Sequence, residues 1–177
     1  FTDRNTYREY DPKTDVVKEY KATKGRIPPR CSFLTFWRGR MVAARSADDG
    51  HLWHMSKQGD VYDWDTDPAV ITSVQAVSGS SSGRIGACPD IINGVVSVND
   101  DVLLILCDHS TWQLTGDPQA GGEFDLISDV VGGAFGRGQV LDPEGRVYWF
   151  GSRGGVYRKA PFGPIERISV RSIERRL

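Results

Sequence analysis

Short apolar runs separated by turn residues dominate the pattern of this chain. The runs are rich in Val, Ile, Phe and Trp, and they occupy residues 33–37, 41–44, 94–98, 102–107 and 147–150. Clusters of Asp, Asn, Ser and Gly lie at 47–50, 99–100, 142–145 and 152–155. Apolar runs of this length bounded by turn residues are typical of β-strands. Only residues 14–22 and 168–177 have a pattern that a helical turn could adopt, so the sequence predicts an all-β fold.

A unit made of a strand, a tight polar turn and a second strand with a central aromatic residue recurs along the chain. The equivalent aromatic residues are Tyr7, Trp53, Trp112 and Tyr157. Their spacing is roughly 45 residues, except where a Ser/Gly-rich segment lengthens one interval. A repeat of this length with four short strands is typical of a β-propeller blade. We therefore expect these four side chains to pack between blades.

The repeat predicts a β-propeller or partial propeller built of about four antiparallel units. Its predicted parts are the outer half of a first unit with a linker (1–27), a second unit (28–70), an insertion (71–87), a third unit (88–130), a fourth unit (131–170) and a tail (171–177). Closed propellers typically have 4 to 8 blades. Because about three and a half units cannot close a ring, we expect either an excerpt of a longer chain or closure by the tail and other chains.

Charge and cysteine content exclude some classes of protein. The 177 residues include 22 basic and 23 acidic side chains, a net charge of -1 with no basic half. Bulk electrostatic binding to nucleic acid or to an anionic membrane is therefore not indicated. Cys31, Cys88 and Cys107 are too few and too widely spaced for a disulfide framework or a paired zinc site, so we expect reduced core thiols.

One acidic loop is a weak candidate for a metal site. It contains Asp60, Asp63, Asp65 and Asp67, whose carboxylates could supply oxygen ligands to Ca²⁺. The loop lacks the glycine and the terminal glutamate of an EF-hand. The alternative is a solvated turn in which the aspartates cap backbone amides.

The histidines and cysteines do not suggest a catalytic site. His51 and His54 are three residues apart in a strand, so their side chains point to opposite faces and cannot bind one zinc ion together. His109 lies in a separate turn. Cys107 beside His109 could form a dyad, but a cysteine at the end of an apolar strand is usually a core thiol. The glycine-rich segment 132–138 enters strands instead of a helix, which favours a crossing between blades over a phosphate-binding loop. The sequence therefore predicts no catalytic residue, no metal and no cofactor.

Three phrases carry a resemblance to a family of tailed-bacteriophage structural proteins. They are WHMSKQGDVYDWD at 53–65, WQLTGDPQAGG at 112–122 and GVY at 155–157, and the resemblance covers about residues 30 to 170. The family that the chain resembles is similar to the propeller-containing nozzle proteins of short-tailed phages. The resemblance implies a non-enzymatic virion component of the tail or head-to-tail region, assembled in the host cytoplasm.

The partners that the resemblance implies are other virion proteins and copies of the chain itself. It implies proximity to the path of the genome, without specific nucleic-acid binding and without a membrane. The alternative is a ligand-binding propeller that recognises carbohydrate through aromatic and acidic residues at blade ends. Exposure of Trp37, Trp64 and Trp149 would favour that alternative, and their burial would oppose it. A glycan-cleaving enzyme ranks third, because it needs two converging carboxylates and the sequence nominates no such pair.

Overall fold

The computed structural model describes residues 6–67, 69, 72–82 and 85–169. All regular structure in this part of the chain is β, which confirms the predicted all-β class. No helix among these residues is long and apolar enough to span a membrane. The chain divides into two units, Phe1–Cys88 and Pro89–Leu177. The predicted tail 171–177 lies outside the described residues, as does most of the possible helical turn at 168–177.

The first unit contains three separate sheets. Its strands are β1 (Arg8–Asp11), β2 (Val16–Glu19), β3 (Lys24–Gly25), β4 (Phe33–Trp37), β5 (Arg40–Ala44), β6 (Trp53–Met55), β7 (Asp63–Trp64) and β8 (Val77–Ser78). Strands β1 and β2 form an antiparallel hairpin, and β3 pairs with β7 in parallel. The remaining strands form a four-stranded antiparallel sheet in the order β4-β5-β6-β8.

The β4–β5 hairpin follows from its two-residue turn. Arg38 and Gly39 both have positive φ angles, 50° and 70°. Two positive φ angles define the type I′ turn, whose twist matches that of the flanking strands. The turn fixes the register in which Trp37 pairs with Arg40, and both of these side chains are buried.

Strand β8 lies inside the segment 71–87 that the sequence predicts to be an insertion. Val77 and Ser78 pair with Met55 and His54, which makes β8 the fourth strand of the sheet. Its two residues are buried within a Ser/Gly-rich stretch. Because the strand is only two residues long, the surrounding composition hides it. Later in the same segment the carbonyl of Gly86 accepts a hydrogen bond from the Trp53 indole at 3.0 Å.

A fully buried arginine connects the segment that precedes β8 with the residue that follows β6. The Arg40 guanidinium donates hydrogen bonds to the carbonyl oxygens of Ser56 (3.0 Å), Ser73 (2.9 Å) and Gln75 (2.5 Å). Backbone carbonyls that face the interior need such donors, because a buried polar group without a partner is costly. Arg40 therefore holds together segments that are distant in sequence.

Tyrosine side chains attach the β1–β2 hairpin to the rest of the first unit. Tyr62 donates a hydrogen bond to Glu9 at 2.6 Å, and its ring stacks on Tyr20 with centroids 5.2 Å apart. The Tyr20 hydroxyl donates to the carbonyl of Val61 and accepts from the Trp64 indole at 2.7 Å. These contacts belong to one buried core cluster, which consists of Tyr7, Tyr20, Cys31, Ala43 and Trp64.

The second unit contains two four-stranded antiparallel sheets. Its strands are β9 (Ile92–Asn99), β10 (Val102–Cys107), β11 (Thr111–Thr115), β12 (Glu123–Ser128), β13 (Gln139–Leu141), β14 (Val147–Phe150), β15 (Val156–Lys159) and β16 (Ile165–Arg167). In each sheet the strands lie in chain order, β9 to β12 and β13 to β16. Every strand therefore pairs only with its neighbours in sequence.

The core of the second unit lies between these two sheets. It consists of Val96, Val98, Val102, Leu104, Leu106, Val147 and Trp149. Strand β10 is buried on both of its faces, since Leu103 and Ile105 on the opposite face have no exposed surface. The continuous apolar run at 102–107 matches this position, because strands covered on both sides need not alternate.

Two glycines allow the chain to cross from one sheet to the next. A Cβ on Gly132 would lie 2.4 Å from the carbonyl oxygens of Cys107 and Asp108. The Gly133 amide donates to the Cys107 carbonyl at 2.8 Å, and the Trp149 indole donates to the Gly132 carbonyl at 3.2 Å. Because these glycines lie between β12 and β13, the segment is a connection between sheets, as the sequence predicts.

Candidate functional site

The four aspartates of the acidic loop form a ladder of local turns. One carboxylate oxygen of each aspartate accepts the backbone N–H two residues later, from Asp60 to Asp67, at 2.9 to 3.1 Å. This is the Asx-turn arrangement that short acidic side chains favour. The amide-capping alternative therefore describes the loop.

The structure does not bring these carboxylates together around a cation site. Asp63 is buried and lies 3.7 Å from the Lys57 ammonium, whereas Asp65 and Asp67 are exposed. Among the described residues, no three His, Cys, Asp or Glu side chains are arranged to hold a metal ion. The loop is instead a series of local turns on both sides of β7.

The three histidines lie in different surroundings. A ring nitrogen of His51 lies 3.0 Å from the carbonyl oxygen of Cys88, and His54 is half-buried in β6. Burial lowers the pKa of His54, and the nearby Asp49 only partly opposes that effect. His109 is exposed in the turn between β10 and β11. Each histidine therefore has a different local environment in its own unit.

A carboxylate organises the turn that contains His109. Cys107 has no exposed surface, and Cys31 and Cys88 are also buried, free thiols. Asp90 accepts hydrogen bonds from the His109 amide (2.7 Å) and from the Ser110 hydroxyl (3.0 Å). Burial raises the pKa of Asp90, but these hydrogen bonds outweigh it and lower the pKa below its usual value. Cys107 therefore packs as a buried core thiol, as Cys31 and Cys88 do.

The four aromatic residues predicted to pack between blades occupy different environments. Tyr7 is buried in the core cluster of the first unit, and Trp53 has no exposed surface. Trp112 is half-buried and stacks on Phe124 of its own sheet, with ring centroids 5.0 Å apart. Tyr157 packs against the core between the two sheets of the second unit.

The tryptophans that could form an aromatic ligand platform are all buried. The exposed fractions of Trp37, Trp64 and Trp149 are 1%, 4% and 2%. Stacking against a sugar ring needs an accessible aromatic face, so none of the three can serve as a platform. Their burial opposes the aromatic form of the carbohydrate-binding alternative.

The first unit contains a polar cavity of about 250 Å³. The parallel pair β3–β7 contributes Gly25 and Trp64 to its lining, and strands β6 and β8 contribute His54 and Ser78. Gly25 lies so close to the backbone of β7 that a Cβ there would be 2.4 Å from the Trp64 carbonyl carbon. The cavity therefore lies where the parallel pair faces strands β6 and β8 of the four-stranded sheet.

Sequence reasoning missed this cavity. It considered His54 only as a metal ligand and did not select Arg26 or Thr66, which also line the space. These residues belong to three separate segments, and no local motif links them. A second, mostly apolar cavity of about 200 Å³ lies beside the core cluster, with Tyr7 and Tyr20 in its lining.

No protein-family model matches this chain, and comparison with curated proteins gives no significant match. The resemblance to phage structural proteins therefore rests on the sequence phrases alone.

Proposed function

We propose that this chain is a non-enzymatic structural component of a phage particle, in the tail or head-to-tail region, which acts through subunit assembly. The observation that carries the proposal is the set of three four-stranded antiparallel sheets, each with its strands in chain order. A fourth element, the β1–β2 hairpin, supplies half of such a sheet. Repeated small sheets that stack through apolar side chains make a stiff scaffold.

The finer form of the proposal is a partial β-propeller in which each four-stranded sheet is a blade. In a propeller the first strands of successive blades lie next to each other near the central channel. The approach of β13 to β9 supports this arrangement, since a Cβ on Gly94 would lie 3.1 Å from the Gln139 amide nitrogen. The core between the two sheets of the second unit supports it as well.

Open edges and exposed apolar side chains support association with copies of the chain and with other virion proteins. The hairpin is an isolated pair of strands, and β2 is exposed along its whole length. Phe150 is 54% exposed and Val140 is 65% exposed, on the face of their sheet that points away from the core. Unpaired edges and exposed apolar patches on natural proteins are usually covered by a partner.

Two measurements test this proposal. Light scattering of the purified chain is expected to give a discrete multimer of the 19.6 kDa chain. Mass spectrometry of gradient-purified particles from a host that carries the gene is expected to recover its peptides. A chain that stays monomeric at high concentration would refute assembly through copies of itself, and its absence from purified particles would refute the virion role.

A matched pair of variants distinguishes a specific interface from nonspecific hydrophobic association. Phe150→Glu is expected to dissociate the multimer, because it places a charge on the exposed face of β14. Phe36→Glu is the control, since Phe36 is 59% exposed in the other unit. Equal dissociation by both variants would contradict a specific interface that contains Phe150.

A further inference from the structure

Several side chains that line the polar cavity of the first unit have hydrogen-bonding groups that no other described residue uses. No described residue hydrogen bonds with the His54 ring or the Thr66 hydroxyl, and no described residue forms an ion pair with Arg26. Asp65 uses one carboxylate oxygen to cap the Asp67 amide, at 3.1 Å, and its other oxygen has no partner in the described part of the chain. The cavity therefore offers both hydrogen-bond donors and acceptors to a ligand.

The charges of the described residues that line the cavity balance each other. Arg26 carries a positive charge and Asp65 carries a negative one, and both side chains line the same space. Burial lowers the pKa of His54 and so favours the neutral imidazole, which donates with one ring nitrogen and accepts with the other. The carboxylate would repel an anion, and the guanidinium would repel a cation. A neutral ligand avoids both conflicts.

The size of the cavity limits the ligand to a single ring. Pockets for drug-sized molecules typically occupy about 300–1,000 Å³, and this cavity occupies about 250 Å³. Met55 and Val77 supply an apolar part of the lining. Because the Trp64 ring is buried, recognition would depend on hydrogen bonds and not on aromatic stacking.

We propose that this cavity binds one ring of a neutral polyhydroxylated molecule, such as a monosaccharide or a cyclitol. Ring hydroxyls both donate and accept, which matches the guanidinium, imidazole, hydroxyl and carboxylate groups of Arg26, His54, Thr66 and Asp65. The apolar C–H face of such a ring suits Met55 and Val77. The proposal is independent of the assembly role, because it concerns only residues within the first unit.

Ligand-detected NMR and titration calorimetry of the full chain test this site directly. The probes are glucose, galactose, mannose, N-acetylglucosamine and myo-inositol, with glucuronate and glucosamine as charged analogues of one ring size. Saturable binding of at least one neutral probe is expected, with weaker binding of both charged analogues. Absence of saturable binding by every neutral probe would overturn the proposal, as would tighter binding of either charged analogue.

Variants assign the binding to this cavity. Arg26→Met is expected to weaken binding about tenfold, because it removes a charge-assisted donor, and Thr66→Val is expected to weaken it about fivefold. Lys24→Met is the matched control, since Lys24 is exposed nearby and does not line the cavity. Thermal melting checks that all three variants fold. Binding that survives both cavity variants unchanged, or that Lys24→Met weakens equally, would place the ligand elsewhere and overturn the assignment.

Discussion

Replacement of the buried Arg40 by methionine gives a direct test of how the first unit is held together. Methionine keeps an unbranched apolar stem and removes the guanidinium. Its loss leaves three carbonyl oxygens, those of Ser56, Ser73 and Gln75, without this donor. Ser56 is fully buried, so its carbonyl bears the full cost of an unmade hydrogen bond, about 1–3 kcal/mol.

The other two carbonyls lie in partly buried positions, where water can replace the donor at a smaller cost. Methionine also avoids the cost of burying a charge, which offsets part of the loss. The expected net decrease in the free energy of unfolding is therefore about 2–4 kcal/mol. Arg40→Lys is expected to fall between the wild type and Arg40→Met, because an ammonium cannot reproduce the planar fork of donors.

Urea denaturation followed by tryptophan fluorescence measures this change. With a slope of about 2 kcal/mol per molar urea, the midpoint is expected to fall by about 1–2 M. Arg26→Met is the control, because Arg26 is an exposed arginine in the same unit and its replacement is expected to change stability by less than about 0.5 kcal/mol. A loss below about 1 kcal/mol for Arg40→Met, or equal losses for both variants, would refute the role assigned to Arg40.

Three further predictions concern the crossing glycine, the half-buried histidine and the acidic loop. Gly132→Ala is expected to lower the free energy of unfolding, measured in urea, by about 2–4 kcal/mol, because its Cβ would clash with the Cys107 carbonyl. Gly138→Ala is the control: its Cβ would have its nearest contact at 3.4 Å, and the loss should be less than about 1 kcal/mol. Burial lowers the pKa of His54, so its contribution to stability is present above its unfolded pKa of about 6.5 and is lost as pH falls through the folded pKa. His54→Gln should therefore flatten the stability profile between pH 7 and pH 5. An unaltered slope in His54→Gln would contradict this. Millimolar Ca²⁺ should not raise the melting temperature, because each aspartate of the loop already caps an amide, and a rise of several degrees would restore the calcium hypothesis.

The sequence predicts strands well where apolar residues fill a whole run. The run at 102–107 becomes β10, which is buried along its whole length, and the run at 147–150 becomes β14, which buries Val147 and Trp149 on one face. Strands of only two residues cannot be predicted in this way. Strands β3, β7 and β8 form through contacts with distant segments, and their own residues carry no period that identifies them.

The acidic loop and the polar cavity differ in the same way: local spacing determines the first, and contacts between distant segments determine the second. The turns of the acidic loop depend on spacing of two residues, so the amide-capping alternative is visible in the sequence. The polar cavity depends on the parallel pairing of β3 with β7, which brings Arg26 and Thr66 near His54. A pairing between segments this far apart in the chain leaves no local signal.

The order of strands in the second unit has a consequence for how the chain folds during synthesis. From β9 to β16 each strand pairs only with its neighbours along the chain, so every pairing can form as soon as the next few residues emerge. Short separations between paired residues favour fast folding. The first unit has to wait for β7 before β3 finds its partner, and Arg40 has to wait for Ser73 and Gln75. We therefore expect the half of the chain that is made later to acquire its pairing faster once it is available.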